Sequence, residues 1–290
     1  MHEPFKIKGA TITSALKFGT QRLELGDDLR ENAARDAQQI LEIATGLTRV
    51  QMLAQPDRLL REEEAGSFQG MIAQRRGAVP IQHLRGSQEF FGRNFEVSPD
   101  VLIPRPETEH LIEEMLRLFP DRSTTLRMAD IGTGSGAIAI TLALELPRSC
   151  VLALDISHEA LATAHRNAVT HHARNVRFSH SDLLQNAQGE APFDVIVSNP
   201  PYIPLTEKDT LHRQVRNHEP HLALFGGEDG LHIYRSLIPQ AFTALKPGGH
   251  LLLETAGRSA ALDALLEGWS GLRYVRDLQG IERIAVSQKP

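Results

Sequence analysis

Asp130-Ile131-Gly132-Thr133-Gly134-Ser135-Gly136-Ala137 ends the apolar run 126–131 and opens the apolar stretch 137–146. A strand that passes through three alternating glycines into a helix must turn sharply, and glycine tolerates the backbone angles such a turn needs. Unpaired N–H groups at the start of the helix attract a carboxylate or phosphate. At the first strand of a doubly wound sheet, this is where a ligand crevice forms.

Downstream, the short apolar strands 151–156, 176–179, 193–198 and 250–254 alternate with the helical stretches 158–172 and 230–245. That alternation predicts a doubly wound, mainly parallel α/β sheet. Residues 272–278 and 281–287, separated only by Gln279-Gly280, add an antiparallel hairpin at one edge and bring the sheet to seven strands.

Upstream, Ala34, Ala37, Leu41 and Ala44 step by three and four residues, and the pattern from 29 to 76 is helical, with further helices expected at 47–53 and 56–71. Glu62-Glu63-Glu64 reads as an exposed helix face. The alternation 90–97 predicts a hairpin, Pro99, Pro104 and Pro106 interrupt helix, and Pro106 then opens a helix with the stripe Leu111, Ile112, Met115, Leu116 and Phe119. The expected domains are a helical one over 1–79, a hairpin and linker over 80–106, and the sheet domain over 107–290.

The 290 residues carry 31 Lys+Arg and 36 Asp+Glu, a net charge of −5. Residues 1–98 are neutral, with 13 of each sign, and the excess acid lies in 99–290. No basic surface for nucleic acid is expected, and 15 aromatic residues are too few for a row of base-stacking platforms. The single cysteine, Cys150, excludes an intrachain disulfide and a cysteine-based metal site. No run reaches the length of a membrane span and the first ten residues lack a signal-peptide core, so a cytoplasmic protein is expected. His165, His171 and His172 share a helix without a metal-binding spacing and read as a solvated face; no metal is expected.

The glycines fall as G-x-G-x-G at 132, 134 and 136, not as the dinucleotide fingerprint G-x-G-x-x-G. Asp155 ends the next strand, where a carboxylate can accept both hydroxyls of a ribose. Asp182 is placed to accept an exocyclic adenine amine, with Leu183 covering the ring. The loop Asn199-Pro200-Pro201-Tyr202 follows the fourth strand. Its prolines stiffen it, the Asn199 side chain and the Pro200 carbonyl offer two acceptors, and Tyr202 offers a flat face. Together they suit a planar NH2 group.

Gly132–Gly136, Asp155 and the Asn199–Tyr202 loop resemble the S-adenosylmethionine-dependent methyltransferases that alkylate planar amino or amide nitrogens. Pro80-Ile81-Gln82, Val101-Leu102-Ile103-Pro104-Arg105-Pro106-Glu107-Thr108-Glu109, Glu219-Pro220, Gly227-Glu228-Asp229-Gly230-Leu231 and Tyr234-Arg235 are similar to segments of the peptide chain release factor glutamine methyltransferases. The likeness runs from about 31 to 287; His83, Arg85 and Glu254-Thr255-Ala256 depart from the usual pattern. The resemblance implies a helical substrate-recognition domain and a methyltransferase sheet. The implied donor is S-adenosylmethionine, and the implied substrate is the glutamine of the Gly-Gly-Gln motif of bacterial class I release factors. It further implies that Gly132, Thr133, Gly134, Ser135, Gly136, Asp155, Asp182, Leu183 and Asn199 hold the cofactor. Asn199, Pro200, Pro201 and Tyr202 would hold the substrate, with Asn199, Pro200 and Tyr202 catalytic. Arg105 and Glu107 either close over the cofactor or form an interdomain ion pair. The main rival is a DNA adenine methyltransferase, which would hold a flipped adenine in the same loop. A dehydrogenase is disfavoured by the glycine spacing.

Overall fold

The computed structural model describes residues 8–187, 189–190 and 192–290. Seven strands form one sheet: β3 (Arg127–Ile131), β4 (Cys150–Asp155), β5 (Val176–His180), β6 (Phe193–Ser198), β7 (Leu245–Glu254), β8 (Ser270–Arg276) and β9 (Glu282–Gln288). Their order is β5-β4-β3-β6-β7-β9-β8, and a separate hairpin pairs β1 (Ser87–Phe90) with β2 (Arg93–Glu96). The ladders from β5 to β7 are parallel, and β9 runs antiparallel between β7 and β8. The sheet is thus mainly parallel with an antiparallel edge pair, as the alternation of apolar runs predicts.

Successive strand residues face opposite layers. Met128, Val151, Ala153, Val195, Val197 and Leu252 pack with Leu111, Ile112 and Met115 of helix Glu109–Leu118 and with helix Ala137–Glu145. Ala129, Ile131, Leu152, Leu154, Ile196, Leu251 and Leu253 pack instead with Tyr234, Leu237, Ile238 and Ala241 of helix His232–Ala244. The hairpin puts Phe90 and Phe95 into the first of these layers. One strand starts earlier than its apolar run indicates: β7 pairs Leu245 with Phe193 and then His250 with Val195. Lys246-Pro247-Gly248-Gly249 forms the excursion, with Gly248 at φ 76° and Gly249 backed against the carbonyls of Lys246 and Asp194.

The described residues divide into two compact units, one running to Gly86 and taking in Leu211–His218, the other comprising Ser87–Thr210 and Glu219–Pro290. The first is helical: Ile12–Leu23, Ala33–Thr45, Arg49–Ala54, Glu62–Arg76 and Ile81–Arg85, joined by Arg213–His218. The break after Gly86 differs from the expected boundaries at 79–80 and 106–107, because the hairpin beyond Gly86 shares the core of the sheet. Residues 211–218 belong with the helices through Arg75, whose guanidinium reaches Gln214 at 3.1 Å, and through His218 on the Gly77 carbonyl at 2.8 Å.

The helix expected at 56–71 is displaced to Glu62–Arg76. Pro56 and Asp57 form a turn closed by Arg58 N–H on Gln55 O, and the chain beyond it pairs with 10–12 instead, since Ile12 N–H donates to Arg58 O and Leu60 N–H donates to Ala10 O. Only part of the triple glutamate is a surface: Glu64 is buried, takes both terminal nitrogens of Arg58 at 3.1 and 3.0 Å and caps the helix through Arg61 N–H. Arg58 foremost holds the Glu64 carboxyl down at about 2.

Candidate functional site

The first strand, β3, lies between β4 and β6, so the chain winds outward in both directions from that point. Loops leaving the carboxyl ends of β3 and β6 must then diverge, and a crevice opens between them. The glycine loop follows β3 and the Asn199 loop follows β6.

Gly132 and Gly134 take φ of 73° and 56°, and a Cβ on either would meet no atom within 4 Å. Their backbone forms the bare wall of the cavity. Gly136 is different: at φ 82° it is the N-cap of helix Ala137–Glu145, and a Cβ would come within 2.8 Å of Ile140 and 3.1 Å of Ala164. The loop is held from below. Gly132 and Thr133 N–H groups donate to Leu154 O, and Asn167 Nδ2 reaches the Ser135 carbonyl at 2.9 Å. Thr133 Oγ1 donates to Asp130 at 2.7 Å.

Asp155 closes the loop from the side. Oδ2 accepts Gly134 N–H at 2.8 Å and Oδ1 accepts Ser157 N–H at 2.9 Å. Burial pushes its pKa up, against those backbone donors. No cation compensates it in a hydrogen bond or ion pair among the described contacts, which leaves lone pairs suited to hydroxyl donors. Next to it, Leu183 sits at φ 51°, a strained conformation for a leucine, and presents its side chain to the cavity. Asp182 lines the same wall and accepts Gln185 Nε2 at 2.9 Å.

Across the crevice, Asn199 donates from Nδ2 to Thr108 Oγ1 at 3.2 Å. Thr108 ends the turn Pro106–Thr108, which is fastened by Arg105: its Nη2 pairs with the buried Glu219 at 2.5 Å, and Glu219 also accepts Ile103 N–H. Arg105 and Glu219 belong to the same unit, so the pair is not interdomain. Tyr202 directs its hydroxyl to Glu254 Oε1 at 3.4 Å, and Tyr234 donates to the Glu254 main-chain carbonyl at 2.6 Å. Glu254 is buried and its carboxyl is pushed up to about 7, chiefly by burial, with Thr108 and Tyr202 opposing.

Gly132, Gly134, Asp155, Asp182, Leu183, Asn199 and Pro201 thus line one cavity of about 210 Å³, with Val101, Leu102, Ile156 and Leu222 as apolar wall. Thr133, Ser135, Gly136 and Pro200 are not on that wall; the first three brace the loop from behind. Tyr202 is not on that wall either; it lines a second cavity with Thr255 and Leu231. Sequence reasoning passed over Asn167, Thr108 and Glu254 as working parts. The histidines are not simply solvated: His171 packs on Phe95 at 4.8 Å and His165 on Phe178 at 5.2 Å.

The cavity fits an adenosine-bearing sulfonium. Two glycines supply a cradle that any side chain would fill, a half-buried carboxylate waits for hydroxyl donors, and leucine, isoleucine and valine flank space for a flat ring. Fold and site define the class, an S-adenosylmethionine-dependent methyltransferase. Residues 108–228 match the family model for the methyltransferase small domain, and 14–86 match the PrmC N-terminal domain. At 44% identity over 97% of this chain and 99% of a release factor glutamine methyltransferase from Koribacter versatilis, the chain belongs to the release factor glutamine methyltransferase family.

A second relative of that name, from Bradyrhizobium diazoefficiens, is 41% identical over 99% of this chain and 97% of its own. Among solved structures, a methyltransferase from Pyrococcus furiosus has TM-score 0.50 and 25% identity, covering 69% of this chain and 90% of that one. The T. thermophilus 16S rRNA N2 G1207 methyltransferase, in complex with AdoMet and guanosine, shares the fold at TM-score 0.53 and 20% identity, over 70% of this chain and 50% of that one.

Proposed function

We propose that this chain transfers a methyl group to the side-chain amide nitrogen of the glutamine in the Gly-Gly-Gln motif of bacterial class I release factors. The place of work is the cytoplasm, and the helical unit serves recognition of the protein substrate. Relatives that carry the release factor name over nearly their whole length support the substrate. The observation that carries the chemistry is Asn199 on the wall shared by Gly134 and Asp155, with its amide nitrogen already engaged by Thr108.

S-adenosylmethionine, when bound, supplies an electrophilic methyl on a sulfonium. Gly132, Gly134, Asp155, Asp182 and Leu183 would hold it. A carboxamide nitrogen is a poor nucleophile, because its lone pair is delocalised into the carbonyl, and among the described residues lining the cavity none is a strong base. Asn199 Oδ1 and the Pro200 carbonyl would accept the two N–H bonds of the substrate amide. Both hydrogen bonds strengthen as that nitrogen becomes positive, so they stabilise the transition state more than the ground state. Tyr202 contributes the face of its ring, with its orientation set by the hydroxyl on Glu254. Fixing the nitrogen at about 3–3.5 Å from the reacting carbon can contribute up to roughly 7–11 kcal/mol by removing translational and rotational entropy beforehand. The cofactor would supply the methyl carbon by giving up its bond to sulfur, the substrate nitrogen would take that carbon, and the nitrogen held by Asn199 and Pro200 would then release one N–H proton.

The test is mass spectrometry of the Gly-Gly-Gln peptide from a purified release factor incubated with this protein and S-adenosylmethionine, with duplex DNA as a parallel substrate. A single added methyl on the glutamine is the expected result. Methyl incorporation into the DNA with none in the peptide would overturn the proposal.

A further inference from the structure

We propose that Gly230 is a positioning residue: its bare Cα lets the turn 226–230 close on the Tyr202 carbonyl, and this main-chain contact fixes the loop that carries Pro200 and Tyr202. The inference rests on the reading of Tyr202 as a working part of that loop.

Prolines stiffen only the first half of the loop. Pro200 precedes another proline, so its φ is locked and its ψ is confined to the extended range. Pro201 has a locked φ alone, and both angles of Tyr202 are open. Contacts from outside the loop must therefore set the Tyr202 end. Ile203 N–H donates to Leu224 O at 3.0 Å, Gly226 N–H donates to Ile203 O at 2.9 Å, and Leu205 N–H donates to Gly227 O at 2.9 Å. These bonds, with the parallel bridge between Ile203 and Phe225, zip the chain after Tyr202 onto 224–227.

The approach depends on missing side chains. A Cβ on Gly226 would stand 2.5 Å from Pro201 O and 2.6 Å from Gly230 O. On Gly230, where φ is 76°, it would overlap the Tyr202 carbonyl oxygen and come within 3.2 Å of the carbonyl carbon. Those atoms are main chain and cannot rotate aside as a side chain does. The turn itself is anchored from its far end. Leu231 N–H donates to Asp229 Oδ1 at 3.1 Å, Asp229 pairs with Arg235, and His232 N–H donates to Gly226 O at 2.9 Å. From there helix His232–Ala244 enters the core through Tyr234, Leu237 and Ile238. A side chain at 230 would thus displace the looser partner, Tyr202, and with it the ring offered to the substrate amide.

Gly230 does not line the cofactor cavity, so its effect is separable from cofactor binding. With release factor as substrate, Gly230→Ala should lower kcat roughly 10- to 100-fold while calorimetric affinity for S-adenosylmethionine stays unchanged. Gly280→Ala is the control. Its φ is 82° and a Cβ there would meet no atom within 4 Å, so it carries the backbone strain without the contact and should keep kcat. The chain has three tyrosines, which fluorine NMR of fluorotyrosine-labelled protein reads separately. The Tyr202 signal, assigned by its loss in Tyr202→Phe, should move in Gly230→Ala and stay in place in Gly280→Ala. Full kcat, an unmoved Tyr202 signal, or a loss of cofactor affinity as large as that of kcat in Gly230→Ala overturns the inference, and so does an equal fall of kcat in Gly280→Ala. Full kcat in Tyr202→Ala overturns the reading beneath it. Should Gly230→Ala not fold, Asp229→Ala releases Leu231 N–H and Arg235 without adding an atom, and it should lower kcat and move the Tyr202 signal; neither change would overturn the inference.

Discussion

The Asp155 carboxylate accepts the Gly134 N–H at 2.8 Å, so the last residue of one strand holds the glycine loop of its neighbour. Its other oxygen takes Ser157 N–H, the N-cap of helix His158–Thr170. One side chain thus joins loop, strand and helix where the ribose hydroxyls are expected. Hydrogen bonds to a charged group contribute about 1.5–3 kcal/mol. Asp155→Ala should therefore weaken S-adenosylmethionine binding by roughly tenfold or more. Calorimetric titration of the purified protein measures this, and unchanged affinity would remove Asp155 from the cofactor site.

The glycines of the same loop separate into two kinds. At Gly134 a methyl group would stand in the open crevice, whereas at Gly136 it would strike Ile140 and Ala164. Both positions have positive φ, which costs a residue with a Cβ about 1–2 kcal/mol. Gly134→Ala should fold with only that penalty yet lose cofactor affinity. Gly136→Ala should lose more stability, because the clash adds to the backbone strain. Urea unfolding of the two variants beside ligand titrations distinguishes them, and equal stability losses would contradict the separation.

The alternation of short apolar strands with helices made the doubly wound sheet legible, since burial on both faces leaves runs such as 151–154 almost without polar residues. The crevice was legible for the same reason: β3 had to be central for its glycines to meet the loop after β6. Pairings across long sequence distances were not. Glu254 looks like any carboxylate after a strand until Thr108 and Tyr202 are folded against it. Asn167 sits on an amphipathic helix and gives no sign that it bridges Glu96 and Ser135. Helix Ile12–Leu23 was missed because its buried stripe is built partly from Ala15 and Gly19, where a close approach to Phe68 replaces bulk. Nor does spacing reveal that 211–218 folds with the N-terminal helices.

Glu219 supports the loop that carries Thr108 and three cavity residues, Asp100, Val101 and Leu102. Its carboxylate is fully enclosed and accepts both Ile103 N–H at 3.2 Å and Arg105. Glu219→Ala would strand the buried Ile103 N–H, at a cost of about 1–3 kcal/mol. Glu219→Gln keeps an acceptor and should lose less. A fall in unfolding free energy for the alanine variant, with weaker S-adenosylmethionine binding, is the expected outcome. Alanine and glutamine variants of equal stability would show that the acceptor does not matter.

Asp130 lies wholly buried beneath the glycine loop, with one oxygen on Thr133 and Oδ1 unpartnered among the described side chains. Burial pushes its carboxyl up to about 7, and nearby Asp155 adds to the rise against the Thr133 hydrogen bond. In the unfolded chain the group titrates near 4. Between those values the folded state binds a proton that the unfolded state has released, so stability is highest below about pH 4 for this group and declines until the folded group has ionised, near pH 7. Glu254, also pushed up to about 7, acts in the same direction. The urea midpoint should accordingly fall between pH 5.5 and pH 8, and Asp130→Asn, which removes one of the two ionisations, should lessen that fall. An asparagine variant with the full wild-type pH dependence would mean that Asp130 is ionised throughout the range and that the loop above it is held by a charge.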